Sequence, residues 1–485
     1  MNWILIAEGL YLILLVATCL RIIHDTRSAS KTLAYLLFAI FVPIAGILFY
    51  FTFGINYRKR RMYSKKLLDD EERSVSLRER LYKDSIKIID STQRISSEKR
   101  ELAYLLLNDS LSPVTNGNEV KILRNGEEKF PEVLQALESA RHHIHLEYYI
   151  YENDEIGREI EGTLIKKAQE GITVRMVYDD FGSRSIRGKL VQRLKQAGVQ
   201  VFPFHKIHFV PFANRINYRN HRKIIVVDGK IGFVGGINIS DRYINMPDAP
   251  DKTYWRDTHL KIEGPAVSYL QYLFLCDWNF SAKQNLQQTE DFFPIVEPPK
   301  NPTGRIVQMA ASGPDSANPS ILFSILKGIG LARKEVLITT PYLIPGESLK
   351  NSLIMCALSG VDVKILVPRK SDSHLVNTAA RSYYEELLKA DVKIYRYTKG
   401  FIHAKTIVLD REVGMVGTAN MDTRSFDLNF EVNAIIYDKP TASQLAQDFY
   451  DDLESSPEID PVEWFQRPWY KKLLEKVAKM VSPLL

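Results

Sequence analysis

His221-Arg222-Lys223-Ile224-Ile225-Val226-Val227-Asp228 is answered in the second half of the chain by His403-Ala404-Lys405-Thr406-Ile407-Val408-Leu409-Asp410. The same offset carries Gly235 onto Gly417 and Asn238 onto Asn420, so each copy reads His-x-Lys-x4-Asp-x6-Gly-x2-Asn. Residues two apart on a strand share a face, so His and Lys point the same way. The apolar run 224–227 is that of a buried strand leading away from them. A lone His-x-Lys is the sequence of any surface strand. Two copies in step, each with its Asp, Gly and Asn, are the sequence of a duplicated fold with chemistry where the copies meet.

Other segments repeat at similar offsets. Val174-Arg175-Met176-Val177-Tyr178 matches Val363-Lys364-Ile365-Leu366-Val367, and Ala197-Gly198-Val199-Gln200-Val201 matches Ala390-Asp391-Val392-Lys393-Ile394. The offset from Ala197 to Ala390 exceeds that from His221 to His403 by eleven. The first copy is therefore expected to carry about that many extra residues between Phe204 and Asn220. From residue 118 onward, strand and helix patterns alternate, which predicts an α/β fold. Its two pseudo-symmetric halves, mixed sheets flanked by helices, are expected at 118–293 and 304–460. A Pro-rich linker at 294–303 (Pro294, Pro298, Pro299, Pro302) would join them.

A strand-borne His-Lys pair suits phosphate chemistry. The ammonium holds non-bridging oxygens as a point charge, and a neutral imidazole attacks phosphorus or moves a proton near neutral pH. These residues resemble the doubled HKD motif of the phospholipase D superfamily. The likeness extends to Asn217-Tyr218-Arg219-Asn220 and to Pro341-Tyr342-Leu343-Ile344-Pro345. Residues 43–54 with the basic tail that follows, and the terminal Ser482-Pro483-Leu484-Leu485, are similar to bacterial cardiolipin synthases within it. Gly236 and Thr418 stand where the superfamily often has Ser.

The resemblance implies a catalytic set of His221, Lys223, Asp228, His403, Lys405 and Asp410. One His, taken as His221, attacks phosphorus; the other, His403, serves as acid and base. Lys223, Lys405, Asn238 and Asn420 would hold the phosphoryl oxygens. A carboxylate some way downstream of each His would orient it, which offers Glu431 beyond His403 and Asp257 beyond His221. Asp228 and Asp410, at the far ends of their strands, are then expected to bond turns. The implied reaction transfers a phosphatidyl group between two phosphatidylglycerol molecules, giving cardiolipin and glycerol. A phospholipase D using water, a membrane-tethered nuclease and a non-catalytic lipid-binding scaffold are the competing readings. No cofactor or metal is expected; His142, His143 and His145 invite a metal reading but fit a structural role better.

Composition sets outer bounds. The net charge of +6 over 485 residues is too small to argue for nucleic acid, and no basic, aromatic-interleaved groove is evident. Three scattered cysteines exclude a disulfide framework. Residues 3–20 and 32–54 are apolar and each near the ~20 residues a span needs, so two membrane helices are expected within 1–56. Arg58 to Arg61 with Lys65 and Lys66 outweigh Arg21, Arg27 and Lys31 of the intervening turn, predicting a multi-pass protein of the cell membrane with a cytoplasmic catalytic domain. A basic, helical connector would occupy 57–117. At 461–485, Leu473, Leu474, Val477 and Met480 alternate with lysines as an amphipathic helix, either at the membrane surface or docked on the domain. Membrane lipid is thus an expected partner, and an oligomer is compatible with the sequence.

Overall fold

In a computed structural model of the chain, residues 3–26, 29–42, 44–51, 71–206, 218–245, 253–287, 289–294 and 304–481 are described. The basic run after residue 57, nearly all of the Pro-rich linker, Pro43, Asn217 and the terminal Ser482–Leu485 lie outside them.

The repeated apolar segments become strands of one sheet, and the repeat is visible in their order. From its junction outward the first half runs Thr115–Arg124, Thr258–Glu263, Ile231–Gly235, Lys223–Val227, His143–Tyr148, Thr173–Asp179 and Gln200–Phe204. The second runs Arg305–Ser312, Asn429–Tyr437, Val413–Gly417, Thr406–Leu409, Glu335–Thr339, Asp362–Pro368 and Lys393–Tyr397. Each position in one series answers the same position in the other. Thr115–Arg124 and Arg305–Ser312 pair antiparallel, Thr115 opposite Val307, and so join the halves into one sheet. Positions 205–220 separate the strand ending at Phe204 from His221, whereas only 398–402 separate the strand ending at Tyr397 from His403. The excess of eleven falls where the spacing placed it.

The motif strand is covered on both sides, as its unbroken apolar run requires. Ile225 and Val227 pack with Leu146, Phe233, Ile160 and Leu164 under the first half's helices. Ile224 and Val226 face the other way, into a cluster holding Leu260 and Ile262 of their own half and Val408, Val416 and Val432 of the second. The halves therefore bury the inner faces of their sheets against each other, which fixes the two motifs about one dyad.

Helix Ser97–Ser110 belongs to this body. Leu102, Ala103, Leu106 and Leu107 are buried with Ile325 and Ile329 of helix Ser320–Leu331. At the N-terminus, helix Trp3–Asp25 is long and apolar enough to cross a membrane. The second apolar run differs from the expected single span. It forms a helix Ala29–Phe41 and a short helix Ala45–Phe49, with Ile44 at φ 62° between them. Ile22, Ala39 and Tyr50 nevertheless pack together, so the two runs lie side by side.

Candidate active site

Each motif histidine stands just ahead of its strand and is held there by the opposite half. Gly400–Ile402 pairs in parallel with Tyr254–Arg256, and the His403 N–H donates to the Arg256 carbonyl at 2.7 Å. Arg219–Asn220 pairs with the start of Asn429–Tyr437, and the His221 N–H donates to the Phe430 carbonyl at 3.0 Å. The next residue along each supporting strand is a carboxylate. Asp257 Oδ2 lies 2.7 Å from His403 Nδ1, and Glu431 Oε2 lies 2.9 Å from His221 Nδ1. Spacing along the chain pairs each carboxylate with the histidine of its own half; the structure crosses them. The cause is the strand exchange, which sets residues 257 and 431 beside the partner half's imidazole.

A carboxylate only accepts, so each Nδ1 carries the hydrogen and each Nε2 keeps its lone pair. Lys405 Nζ lies 2.9 Å from His403 Nδ1, where the carboxylate is the better partner, and it donates to the His403 carbonyl. Lys223 Nζ likewise donates to the His221 carbonyl, at 2.7 Å. All four side chains are buried. Burial, with a contribution from nearby lysine, pushes both imidazoles down to about 4 against the pull of their carboxylates. Burial also lowers Lys223 to about 7 and Lys405 to about 8, with each lysine further depressing the opposite half's histidine. Burial raises Asp257 and Glu431, but Lys405 and His403 on one side, and His221 and Lys223 on the other, outweigh it and leave both lowered. The site thus sets two ionised carboxylates and two neutral imidazoles beside two lysines whose charge burial holds back.

The motif aspartates are elsewhere. Asp228, at φ 52°, accepts from the N–H groups of Arg141, His142 and His143. Asp410, at φ 53°, accepts from those of Arg333, Lys334 and Glu335 and pairs with buried Lys99 at 2.7 Å. Both tie a strand end to its neighbour, and neither contacts an imidazole. Asn238 accepts from the Ile150 N–H and donates to the Tyr243 hydroxyl. Asn420 is buried with its Oδ1 unpaired. The rings of His143 and His145 share Gln271 as partner and pack among Phe274 and Phe292. Among the described residues no three His, Cys, Asp or Glu side chains gather as metal ligands.

Gly236 is explained by Asp257. A Cβ there would sit 2.1 Å from Asp257 Oδ1, so the carboxylate occupies the space a serine would need. The aromatic wall was not foreseen. Tyr149 meets His221 edge-on at 4.8 Å, while Trp255 and Phe401 stand 5.6 and 5.8 Å from His403. Nor was Lys129, fully buried and donating to the Ile237 carbonyl at 2.9 Å. Trp255 stands two positions before Asp257, a signal available in the sequence. Lys129 lies in a helix that reads as charged surface and offers none.

The sequence pattern described as "Cardiolipin synthase, PLD-like domain" matches residues 133–249 and 325–453, once over each motif. "Phospholipase_D-nuclease N-terminal" matches residues 11–54, in keeping with membrane association of the N-terminal helix. The chain is 44% identical to a cardiolipin synthase of Halalkalibacterium halodurans, over 95% of this chain and 90% of that one. It is 39% identical to the major cardiolipin synthase ClsA of Bacillus subtilis, over 96% and 95%. The crystal structure of phosphatidylserine synthase from Haemophilus influenzae shares the fold, with a TM-score of 0.59 at 16% identity over 79% of this chain and all of that one. With the family pattern lying over both halves of the crossed site, and relatives of this identity spanning almost the full length, the chain belongs to the bacterial cardiolipin synthases, phosphatidyltransferases of the phospholipase D superfamily.

Proposed function

We propose that the chain takes a phosphatidyl group from one phosphatidylglycerol and gives it to a hydroxyl of a second, releasing glycerol. The observation that carries this is the pair of buried His-carboxylate couples meeting across the dyad with a lysine in each. His221 Nε2 attacks phosphorus, forming a P–N bond as the P–O bond to glycerol breaks, and His403 gives that oxygen its proton. A glycerol hydroxyl of the second lipid then passes its proton to His403 and attacks phosphorus, forming a P–O bond as P–N breaks. A phosphodiester anion entering the pocket raises the proton affinity of the buried imidazoles and lysines. The substrate thus supports the protonated His403 that the first step consumes. Lys223, Lys405 and Asn420 are assigned to the phosphoryl oxygens, while Asp257 and Glu431 fix the tautomers. Tyr149, Trp255 and Phe401 exclude water, which favours a lipid alcohol over hydrolysis.

The apolar N-terminus is read as a two-pass anchor with the catalytic body in the cytoplasm, on the strength of the basic excess after residue 57. The test of function is product identity. Labelled phosphatidylglycerol in mixed micelles should yield cardiolipin and glycerol in equal amounts. Phosphatidic acid as the main product would replace this reading with hydrolysis.

A further inference from the structure

Strands Asp362–Pro368 and Lys393–Tyr397 are parallel neighbours, with Pro368 opposite Tyr397. The crevice outside the carboxyl ends of parallel strands is where open α/β sheets take ligands. Here it is a cavity of about 250 Å³ lined by Arg369, Lys370, Arg381 and Arg396, with Asn377 and Tyr384. That is below the roughly 300–1,000 Å³ of pockets for drug-sized molecules and suits a headgroup.

The cavity has cations and almost no counter-charge. Arg381 lies 3.8 Å from Glu475, a carboxylate already engaged by both terminal nitrogens of Arg467 at 2.7 and 3.0 Å. The side chains of Arg369, Lys370 and Arg396 form no ion pair with any described residue, and Arg396 Nε is buried without a hydrogen-bond partner. Burial, then the charges of Arg381 and Arg369, lower the Arg396 guanidinium, so the group is held there at an electrostatic cost. Guanidinium forks match the oxygens of a phosphate group, and a charge-assisted pair with them would satisfy the buried Arg396 Nε.

The neighbouring helix says where the phosphate comes from. Helix Trp469–Val481 docks on helix His374–Lys389, the element that supplies Asn377, Arg381 and Tyr384. It docks with its polar side. Glu475 and Ala478 are buried, Lys479 reaches Glu386, and Lys472 donates to the Phe465 carbonyl. Trp469, Tyr470, Leu473, Leu474, Val477 and Met480 face outward, Met480 at 80% exposure. A helix serving only a soluble core would be turned the other way. An exposed apolar stripe flanked by lysines is that of a helix lying in a bilayer surface. It is therefore both docked and membrane-facing.

We propose that the Arg369–Lys370–Arg381–Arg396 cavity is a non-catalytic site for the phosphate of an anionic phospholipid, presented by the bilayer in which the C-terminal helix lies. Its lining includes neither motif histidine and neither motif lysine.

Hydrogen exchange on the full-length chain in nanodiscs tests it. Discs of phosphatidylcholine are compared with discs also containing phosphatidic acid, and with neutral discs given inorganic phosphate. Phosphatidic acid should slow exchange across 368–377 about tenfold, as expected of a site filled at roughly ten times its dissociation constant. Arg369→Gln combined with Arg396→Gln should abolish the slowing. Arg369→Gln alone, an exposed position that leaves folding intact, should weaken it. Slowing by inorganic phosphate but not by the lipid would overturn the bilayer as source. No slowing by either would overturn the site.

Discussion

Replacing Glu431 with Gln is an isosteric change whose consequence can be worked out atom by atom. Oε2 lies 2.9 Å from His221 Nδ1, and Oε1 accepts from Asn429 Nδ2 at 3.1 Å. The Asn429 amide favours the oxygen of a glutamine on its own side, which turns the glutamine NH2 toward Nδ1. The imidazole must then accept there and carry its proton on Nε2, so the nucleophilic lone pair is lost. The charge lost with it also matters. Opposite charges about 4 Å apart at an effective dielectric near 20 attract by about 4 kcal/mol. That is roughly 10³ in rate if the histidine gains positive charge as it attacks. Cardiolipin formation from labelled phosphatidylglycerol should therefore fall about 10³-fold while the melting temperature stays near that of the parent. In ¹⁵N spectra of histidine-labelled protein, the His221 ring should switch tautomer and the His403 ring should not. A switch at His403 would restore pairing within each half and refute the crossed arrangement, and an unchanged rate would refute the orienting role.

His221→Ala and His403→Ala should each cost at least ~10² in rate with the protein folded and membrane-bound; turnover above a tenth of the parent in either would refute a site shared between the halves. Asp410→Asn should act on stability, since it leaves buried Lys99 without its counter-charge, a loss of about 3–5 kcal/mol; an unchanged melting temperature with activity lost would reverse that assignment. The two histidines and two lysines of the ligand-free site should contribute stability that grows as pH rises. Below the ordinary histidine value of 6.5 the unfolded chain binds protons that His221 and His403 refuse until about 4, and above 7 it retains protons that Lys223 and Lys405 give up early. Melting curves from pH 4.5 to 9 check this, and the slope between 4.5 and 6.5 should flatten when both histidines are alanine. Single engineered thiols in the 21–31 turn should react with an impermeant reagent added to whole cells, whereas thiols in the catalytic body should not; the opposite pattern would invert the topology.

The duplication was legible because a buried strand writes its burial into four consecutive apolar residues, and the drift in spacing located even the length of the insertion. Both orienting carboxylates were also legible as residues, in Trp255-Arg256-Asp257 and Asn429-Phe430-Glu431. Their partners were not. Counting along the chain measures distance within a half, whereas the pairing is made by Gly400–Ile402 and Arg219–Asn220 each joining a strand of the other half. Asn238 shows a similar limit, since its match to Asn420 is positional and the nearby Tyr243 takes its amide. Helix Ser97–Ser110 looked like a connector because its charged face is what the sequence displays. Leu102 and Leu106 bury only because helix Ser320–Leu331, from the far half of the chain, lies against them. The C-terminal helix has two readings in sequence, and the face it turns to the body is a property of docking rather than of composition.

The exchange of short strands across the dyad bears on what a severed chain could do. Were the two halves expressed as separate polypeptides, each would bring a histidine and a lysine at the start of its motif strand, yet neither would own the acid that sets its imidazole. A purified half should be inert as a monomer. Mixing the two should restore turnover with a second-order concentration dependence, because the reacting pair exists only in the heterodimer. A change at residue 257 is thus felt first at residue 403, and one at 431 at residue 221. In a descent from two equal copies, neither copy was free to drift alone.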